Sequence, residues 1–320
     1  MRQTRRILLL TPVIPPDSVT GAARAGRFQR FLPDFGFEVD VIAEGPPSSS
    51  IPGVVRVGRR PGDTPAPYLS RLAYLLRRIL AYDDQLPLAA HFYAAALQAA
   101  RTRRYSAVVS TAPPMGMHVA ALLLKKRCGI PAICDFRDPL VGNPFRHHKG
   151  LIDYDHWLES FIARNADAII CNTNTAQDQF QRHHPLHAAR CHLIWNGFEP
   201  EDRAAQAAAS SNPVRVVAHV GTLYGGRDPG ALLHSLLRLA SAGRLQSGAV
   251  LVRLAGPILP EMAARLGDTF TPLVRQGLLE IDNRDIPRAE AQSLANSASC
   301  SLIIDTNDSQ TSLQVPAKLF

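Results

Sequence analysis

The sequence predicts an α/β protein made of two doubly wound domains that follow one another along the chain. Short apolar runs rich in β-branched residues alternate with longer helical patterns, which is typical of parallel sheets built from βαβ units. A polar, Ala/Ser-rich stretch without strand-forming residues, at positions 199–213, separates two such series. The length of 320 residues also suits about two domains.

The first series predicts an N-terminal domain over residues 1–200. Helical patterns fill most of the gaps between its predicted strands. The strands are predicted at residues 7–10, 39–42, 54–57, 107–110, 132–134, 168–171 and 192–194.

The second series predicts a C-terminal domain over residues 214–320, after a linker at residues 201–213. We expect the two domains to face a cleft. The strands are predicted at residues 214–220, 250–254, 278–281 and 301–304, and the helices at 229–242, 260–266 and 288–297. The segment V-P-A-K-L-F, at 315–320, begins as a helix would, with Pro316 in its first turn, so we expect the second domain to be incomplete in this chain.

Composition excludes several classes of protein. No uncharged apolar run approaches the ~20 residues of a membrane-spanning helix, and the first apolar run is too short for a signal peptide. The five cysteines are scattered and form no C-x-x-C pair, so neither a disulfide framework nor a zinc site is predicted. We expect a cytoplasmic protein with reduced thiols and no bound metal.

Positive charge is concentrated in the first part of the chain. Residues 1–200 contain 24 basic and 16 acidic side chains, a net charge of +8, whereas residues 201–320 contain 11 of each. A nucleic acid, an anionic lipid surface and a phosphorylated substrate are all compatible with such a basic surface.

Two segments of the first domain are candidates for a binding site. Gly21 opens a helix after the first strand, where a glycine lets backbone N–H groups approach a phosphate or a sugar; a plain turn glycine is the alternative. Arg137 and Asp138, in D-F-R-D-P at 135–139, follow a buried strand at the carboxyl edge of the sheet. Arg137 suits a carboxylate or phosphate and Asp138 suits sugar hydroxyls, unless the two form an internal pair that orients the loop.

The second domain repeats the strand, glycine loop and helix arrangement. Gly221 and Thr222 follow its first strand, Arg227 lies at the turn into the helix, and Gly256 ends the next strand. Backbone N–H groups, the helix dipole and a guanidinium would converge there on a diphosphate, and Lys318 would supply a second positive charge. Neither the G-x-G-x-x-G dinucleotide motif nor a P-loop motif is present, which argues against dehydrogenases and P-loop kinases.

Three further segments allow plainer interpretations. Residues 68–82 have the spacing of a basic amphipathic helix, which either lies on an anionic bilayer or packs on its own domain. His147-His148 and His183-His184 lack metal-site spacing and are predicted to be surface or loop histidines. Asn196-Gly197 is predicted to be a tight turn.

Together, and in this order, several segments resemble family 4 glycosyltransferases of the two-Rossmann (GT-B) type, especially those that build bacterial surface polysaccharides and exopolysaccharides. The resemblance spans nearly the whole chain. It rests on Gly21, D-F-R-D-P at 135–139, W-N-G-F at 195–198, V-G-T-L-Y at 220–224 with Arg227, and V-P-A-K-L-F at 315–320.

The resemblance implies a retaining, metal-independent transferase of the hexosyl or N-acetylhexosaminyl type that needs no cofactor. The second domain would bind a UDP- or GDP-linked sugar, with Arg227 and Lys318 on the diphosphate and Gly221, Thr222 and Gly256 beside it. The first domain would hold a polyprenyl-linked or other saccharide acceptor through Arg137 and Asp138, with Gly21 facing the donor. The basic first part would then suit peripheral contact with the anionic inner face of the cytoplasmic membrane.

The resemblance also implies an E-x7-E element and a closing helix after residue 320, so we expect the 320 residues alone to be weakly stable and poorly active. A sugar-nucleotide epimerase of the same fold and a catalytically inactive scaffold module are the alternatives. Nucleic-acid binding is disfavoured because no recognition motif or aromatic-interleaved basic stripe is present.

Overall fold

The computed structural model describes residues 5–17, 20–45, 51–58, 86–143, 152–199, 214–224, 226–305 and 313. The chain divides into two compact units, one comprising Met1–Asn196 with Ser312–Val315 and the other Gly197–Thr311 with Pro316–Phe320. The predicted linker at 201–213, the amphipathic segment at 68–82, His147, His148 and Lys318 lie outside the described residues.

The first unit is built on a seven-stranded, fully parallel sheet with the strand order β3-β2-β1-β4-β5-β6-β7. All seven strands lie where the sequence predicts them, to within two residues at each end. They are β1 (Arg5–Thr11), β2 (Phe37–Glu44), β3 (Val54–Val57), β4 (Ala107–Ala112), β5 (Ala132–Phe136), β6 (Ala168–Cys171) and β7 (Cys191–Leu193).

Helices cover both faces of this sheet, as expected for a parallel sheet whose central strands are buried on both sides. They are α1 (Thr20–Phe31), α2 (Leu86–Thr102), α3 (Gly116–Cys128), α4 (Ile152–Asn165) and α5 (Asn174–His183), with short 3-10 helices at Leu32–Phe35 and Pro185–Arg190. Successive residues of β1 show the two faces: Leu8 and Leu10 join one core cluster, and Ile7 and Leu9 join another.

The second unit has a parallel sheet of the order β10-β9-β8-β11. Its described core contains Leu233, Val252, Leu254 and Phe270. The elements are β8 (Arg215–Val220), α6 (Gly230–Ser241), β9 (Val250–Ala255), α7 (Pro260–Arg275), β10 (Leu279–Asp282), α8 (Arg288–Ser297) and β11 (Cys300–Ser301).

Two boundaries predicted for the second unit are wrong. The helix predicted to end at residue 266 continues to Arg275, because the buried residues Leu266, Phe270 and Leu273 keep one face of the helix on the core beyond Gly267. The last strand is predicted at residues 301–304 but covers only Cys300–Ser301. The carbonyl of Leu302 contacts the Nδ1 atom of His219 at 3.1 Å, so a side chain takes the place of the next sheet hydrogen bond.

The strand orders indicate where each unit would bind a ligand. In the first sheet β1 lies between β2 and β4, and in the second β8 lies between β9 and β11, so chain connections leave these strands in opposite directions. Ligands of open α/β sheets bind at the carboxyl ends of the strands beside such a switch point. The predicted α/β class with parallel, doubly wound sheets is therefore confirmed. No helix in the described part of the chain is long and apolar enough to cross a membrane.

Replacing a buried core aromatic should cost far more stability than replacing an exposed one. Phe92 on α2 is fully buried, whereas Phe35 is 76% exposed. We expect Phe92→Ala to lower the free energy of unfolding by about 3–5 kcal/mol, because it leaves a cavity, and Phe35→Ala to change it by less than about 0.5 kcal/mol. Urea unfolding of both variants measures the difference, and equal losses would contradict the packing described for α2.

Candidate functional site

Polar side chains occupy the carboxyl ends of three neighbouring strands in the first unit. Thr111 lies near the end of β4, Asp135 in β5, and Asn172 directly after β6; all three are buried. Buried polar groups at this end of a parallel sheet need partners or a ligand. We call Thr111, Asp135, Arg137 and Asn172 the first-sheet edge.

A buried ion pair between Arg24 and Asp135 holds the first-sheet edge together. Nε of Arg24 lies 2.9 Å from Oδ2 of Asp135 and Nη2 lies 2.7 Å from Oδ1, so the guanidinium engages both carboxylate oxygens. The hydroxyl of Thr111 donates to the same carboxylate at 2.8 Å. Arg24 is 6% exposed and Asp135 is fully buried, so each charge depends on the other for its stabilisation.

The rest of the Arg24 guanidinium binds the chain that follows β7. Its nitrogens donate to the carbonyls of Ile194 at 3.0 Å and Trp195 at 3.2 Å, and to Oδ1 of Asn196 at 3.2 Å. With Asp135, these acceptors are enough for all five N–H groups of the guanidinium. One side chain on α1 therefore joins β5 to the 194–196 segment.

The sequence does not single out Arg24 or Asp135 as a pair, and it treats Asn196 as a turn residue only. The side chain of Asn196 has the further role of accepting from Arg24. The signal available in the sequence was a charged residue inside each of two apolar patterns, one in the first turns of a helix and one in a buried strand. Such charges are rarely buried unless they are paired.

Two predicted site residues, Gly21 and Arg137, are brought into direct contact. A Cβ atom at Gly21 would overlap the Arg137 guanidinium and lie 2.8 Å from its Cζ atom. A side chain at this position would therefore displace the Arg137 guanidinium from the first turn of α1.

Arg137 lies against the backbone of the edge. Its Nη2 atom donates to the carbonyl of Pro113, and its own carbonyl accepts from Nδ2 of Asn172. Burial lowers the pKa of Arg137, an effect that the charges of Asp138 and Asp135 oppose and that of Arg24 reinforces. Asp138 is half-buried beside it.

The loop after β5 is held in place by a buried carboxylate. Glu159 on α4 accepts from the Val141 N–H at 3.1 Å and lies 3.0 Å from Nε2 of His184. Burial raises the pKa of Glu159, but hydrogen bonds from His183, His184 and Val141 outweigh it, so the pKa is lowered and the group stays ionised at neutral pH. His184 lies in the connection between α5 and the 3-10 helix, as the prediction of surface or loop histidines allows, and it is buried because it is the partner of this carboxylate.

Two other features of the first unit do not form a site. Ser110 and His118 are hydrogen-bonded at 2.8 Å, but both are fully buried and burial lowers the pKa of His118 to about 3, which makes this a neutral core contact. A cavity of about 10 Å³ lined by Phe136, Glu159 and Phe180 has room for one water molecule and none for a sugar.

In the second unit, two strand ends meet through their glycines. Gly221 follows β8 and Gly256 follows β9, with φ angles of +135° and +126°. A Cβ atom on Gly256 would lie 2.8 Å from the carbonyl carbon and oxygen of Gly221. The backbone approach is therefore open only to glycine. Thr222, next to Gly221, is exposed.

Arg227 lies in the same region, which we call the second-sheet edge: Gly221, Thr222, Arg227 and Gly256. Its guanidinium stacks on the ring of Tyr224, with Cζ 4.8 Å from the ring centroid, and the backbone N–H of Arg227 donates to the backbone carbonyl of Tyr224 at 3.0 Å. The carboxylate of Asp228 accepts from the Gly230 N–H, at the first residue of α6, at 2.8 Å. The predicted strand, glycine loop and helix arrangement is present, with α6 beginning one residue later than predicted.

Neither edge offers a metal centre. Within residues 5–305, less the ranges the structure leaves undescribed, no group of three or more His, Cys, Asp or Glu side chains is arranged to hold a metal ion. The two edges offer guanidinium groups and backbone N–H groups beside glycines, and the half-buried carboxylate of Asp138 lies next to Arg137 in the chain. These groups bind phosphates and sugar hydroxyls.

The family model described as "Glycosyl transferase 4-like domain" matches residues 20–197, which includes every residue of the first-sheet edge. No curated protein matches the chain.

Solved structures with a similar fold cover most of the chain at low identity. The sucrose-phosphate synthase of Thermosynechococcus elongatus shares 13% identity at a TM-score of 0.61, over 93% of this chain and 74% of that one. Anabaena HepE, solved with UDP-glucose, shares 14% identity at a TM-score of 0.50, over 92% of this chain and 72% of that one. The UDP-GlcNAc 2-epimerase of Methanocaldococcus jannaschii shares 10% identity at a TM-score of 0.53, over 92% of this chain and 77% of that one. These likenesses confirm the expected fold of the GT-B type.

Removing one partner of the buried pair should destabilise the first unit strongly. We expect Arg24→Ala to lower the free energy of unfolding by about 3–5 kcal/mol, because Asp135 is left buried and unpaired. Lys125→Ala is the control, since Lys125 and Asp167 form a solvent-exposed pair at 2.8 Å that contributes about 1 kcal/mol or less. Urea unfolding of both variants gives the comparison; similar small losses would show that Arg24 is not the structural centre of the edge.

A methyl group should be tolerated at one glycine of the second unit and not at another. Gly256→Ala places a Cβ against Gly221 at a positive φ, and we expect a loss of about 1–3 kcal/mol. Gly267→Ala lies within α7 with nothing within 4 Å and should gain about 0.5–1 kcal/mol. Thermal unfolding of the two variants should move in opposite directions, and a shift of the same sign would refute the close glycine contact.

Proposed function

Since the chain belongs to the glycosyl transferase 4-like family, we propose that it transfers a sugar from a nucleotide-diphosphate sugar to a saccharide acceptor. The observation that carries the nucleotide-sugar part is the contact of Gly256 with Gly221, at the start of the loop that carries Arg227. This close approach fixes the start of the loop after β8, the strand end at which a diphosphate would meet N–H groups, the α6 dipole and a guanidinium.

The donor would be bound by the second unit. Arg227, with Gly221, Thr222 and Gly256 around it, would receive the diphosphate of a UDP- or GDP-linked sugar. Lys318 would add a second positive charge, as the resemblance to family 4 glycosyltransferases implies. Positive groups placed at the leaving diphosphate stabilise the charge that develops as the sugar departs.

The acceptor would be bound by the first unit. Arg137 and Asp138, held by the Arg24–Asp135 pair and by Glu159, present a donor-rich and an acceptor-rich group side by side. Gly21 lets the Arg137 guanidinium lie against the first turn of α1. The charge of +8 within residues 1–200 favours an anionic, lipid-linked acceptor and peripheral binding at the inner face of the cytoplasmic membrane.

The proposed reaction breaks the bond between the anomeric carbon and the diphosphate oxygen and forms a bond from that carbon to an acceptor hydroxyl oxygen. The hydroxyl proton leaves with the nucleoside diphosphate. We propose retention of the anomeric configuration, no metal ion, a hexosyl or N-acetylhexosaminyl group, and a role in surface-polysaccharide synthesis. The positive charges of Arg227 and Lys318 would neutralise the negative charge of the leaving nucleoside diphosphate without a metal ion.

Nucleotide binding should depend on Arg227. We expect the matching one of UDP, GDP and ADP, or its sugar derivative, to raise the melting temperature by several degrees at saturation, because ligand at ~100 times its Kd stabilises by about 2.7 kcal/mol. Arg227→Ala should abolish this shift. Arg238→Ala, an exposed arginine on α6, should leave it unchanged. A shift that survives Arg227→Ala, or no shift with any nucleotide, would refute the proposed donor site.

A further inference from the structure

Two cysteines that the proposed function does not use lie side by side in the first sheet. Cys171 is the last residue of β6 and Cys191 is the first residue of β7, and the two strands are neighbours. The register pairs Ile169 with Cys191 and Cys171 with Leu193, so both cysteines project from one face of the sheet, into the same core cluster. Their Sγ atoms are 3.7 Å apart, and closing a disulfide of about 2.05 Å would bring the sulfurs about 1.7 Å nearer.

The two thiols share their protons unequally. The S–H group of Cys171 donates to Sγ of Cys191, and this hydrogen bond lowers the pKa of Cys191 although burial opposes the shift. The same hydrogen bond, together with burial, raises the pKa of Cys171. Because the thiolate is the form of cysteine that reacts with oxidants, Cys191 is the nucleophile of the pair and Cys171 is its partner.

A small, uncharged oxidant has two routes to this pair. The cavity of about 10 Å³ between Glu159 and Phe180 also has Cys171 in its lining and has room for one water molecule. Hydrogen peroxide exceeds water by a single oxygen atom. On the other side, Cys191 is 5% exposed and begins a strand of three residues at the edge of the described sheet. Such a short edge strand opens locally at low cost in free energy.

We propose that Cys171 and Cys191 are a modification site at which hydrogen peroxide converts the two thiols to a disulfide. Sγ of Cys191 attacks one peroxide oxygen, the O–O bond breaks, and the departing hydroxide takes up the proton that this thiol lost. Sγ of Cys171 then attacks the sulfur of the resulting sulfenic acid, the S–O bond breaks, and the hydroxyl group leaves as water with the thiol proton of Cys171. The thiols lose two electrons in total, and the peroxide is reduced to two water molecules.

The disulfide would change the first-sheet edge. The carbonyl of Cys171 accepts from the Ile194 N–H at 2.9 Å, and the carbonyl of Ile194 accepts from Arg24 at 3.0 Å. Asn172, directly after Cys171, donates to the carbonyl of Arg137. Drawing the two sulfurs together therefore moves the backbone on which these hydrogen bonds depend. The inference goes beyond the proposed function and does not depend on it.

Peptide mapping of the full, folded chain tests the site. The chain is treated with hydrogen peroxide, its remaining thiols are blocked with iodoacetamide, and it is digested with trypsin. The two cysteines fall in separate tryptic peptides, residues 165–182 and 191–203. We expect mass spectrometry to find these peptides joined, two hydrogen atoms lighter than their sum, and dithiothreitol to separate them.

Three serine variants supply the controls. Cys191→Ser should abolish the joined peptides, and Cys300→Ser, which removes an exposed cysteine by the same substitution, should form them as the unchanged chain does. Cys171→Ser should leave a sulfenic acid on Cys191 that dimedone labels. Oxidation confined to the exposed Cys128 and Cys300 in the folded chain would overturn the proposal. Joined peptides that form only in urea would also overturn it, because the reactivity would then belong to the unfolded chain.

Amide hydrogen exchange measures the effect on the first-sheet edge. Exchange within residues 191–199 should differ between the oxidised and the reduced chain and should return to its starting rate after dithiothreitol. Identical exchange in the two states would overturn the expected change of the edge. None of these measurements uses a nucleotide or a sugar, so their failure leaves the proposed transferase activity standing, and failure of nucleotide binding leaves the disulfide standing.

Discussion

The buried ion pair between Arg24 and Asp135 is the interaction on which the first unit's carboxyl edge depends. Burying two charges is costly unless the geometry is good and the remaining N–H groups find acceptors. Both conditions hold here, because the carboxylate receives two guanidinium nitrogens and Thr111, and the other N–H groups reach the 194–196 backbone. One side chain thus orients α1, β5 and the chain after β7, and through them the loop that carries Arg137 and Asp138.

In both units, a glycine without a side chain allows a close contact at the carboxyl edge of the sheet. In the first, Gly21 makes room for the Arg137 guanidinium at the first turn of α1, and in the second, Gly256 makes room for the backbone of Gly221. The two glycines allow different contacts. Gly21 allows a charged side chain to approach the helix, whereas Gly256 allows the backbone of Gly221 to approach the end of β9. A parallel sheet favours such close glycine contacts because the carboxyl ends of its strands, with their unpaired backbone groups, lie together at one edge.

The places where prediction from the sequence fails share one cause, which is a contact from elsewhere in the fold. A helix ending at Gly267 is a reasonable local interpretation, but burial of Phe270 and Leu273 carries α7 onward. His184 lies in a loop, as the sequence allows, but its contact with Glu159 on a different helix, which buries it, is not specified by the local sequence. Tertiary packing overrides local propensity wherever it buries enough apolar surface or satisfies a buried charge.

The sequence by itself determined the α/β class, the seven strands of the first sheet, most elements of the second, and the segments that hold Gly21, Arg137, Arg227 and Gly256. These follow from apolar periodicity and glycine placement, which are local properties of the chain. Only the tertiary structure decided which of these residues meet. Arg24 and Asp135 lie 111 positions apart, and Asn172 lies 35 positions from Arg137. Nothing local in a sequence specifies such pairs, since they result from the order in which parallel strands join the sheet.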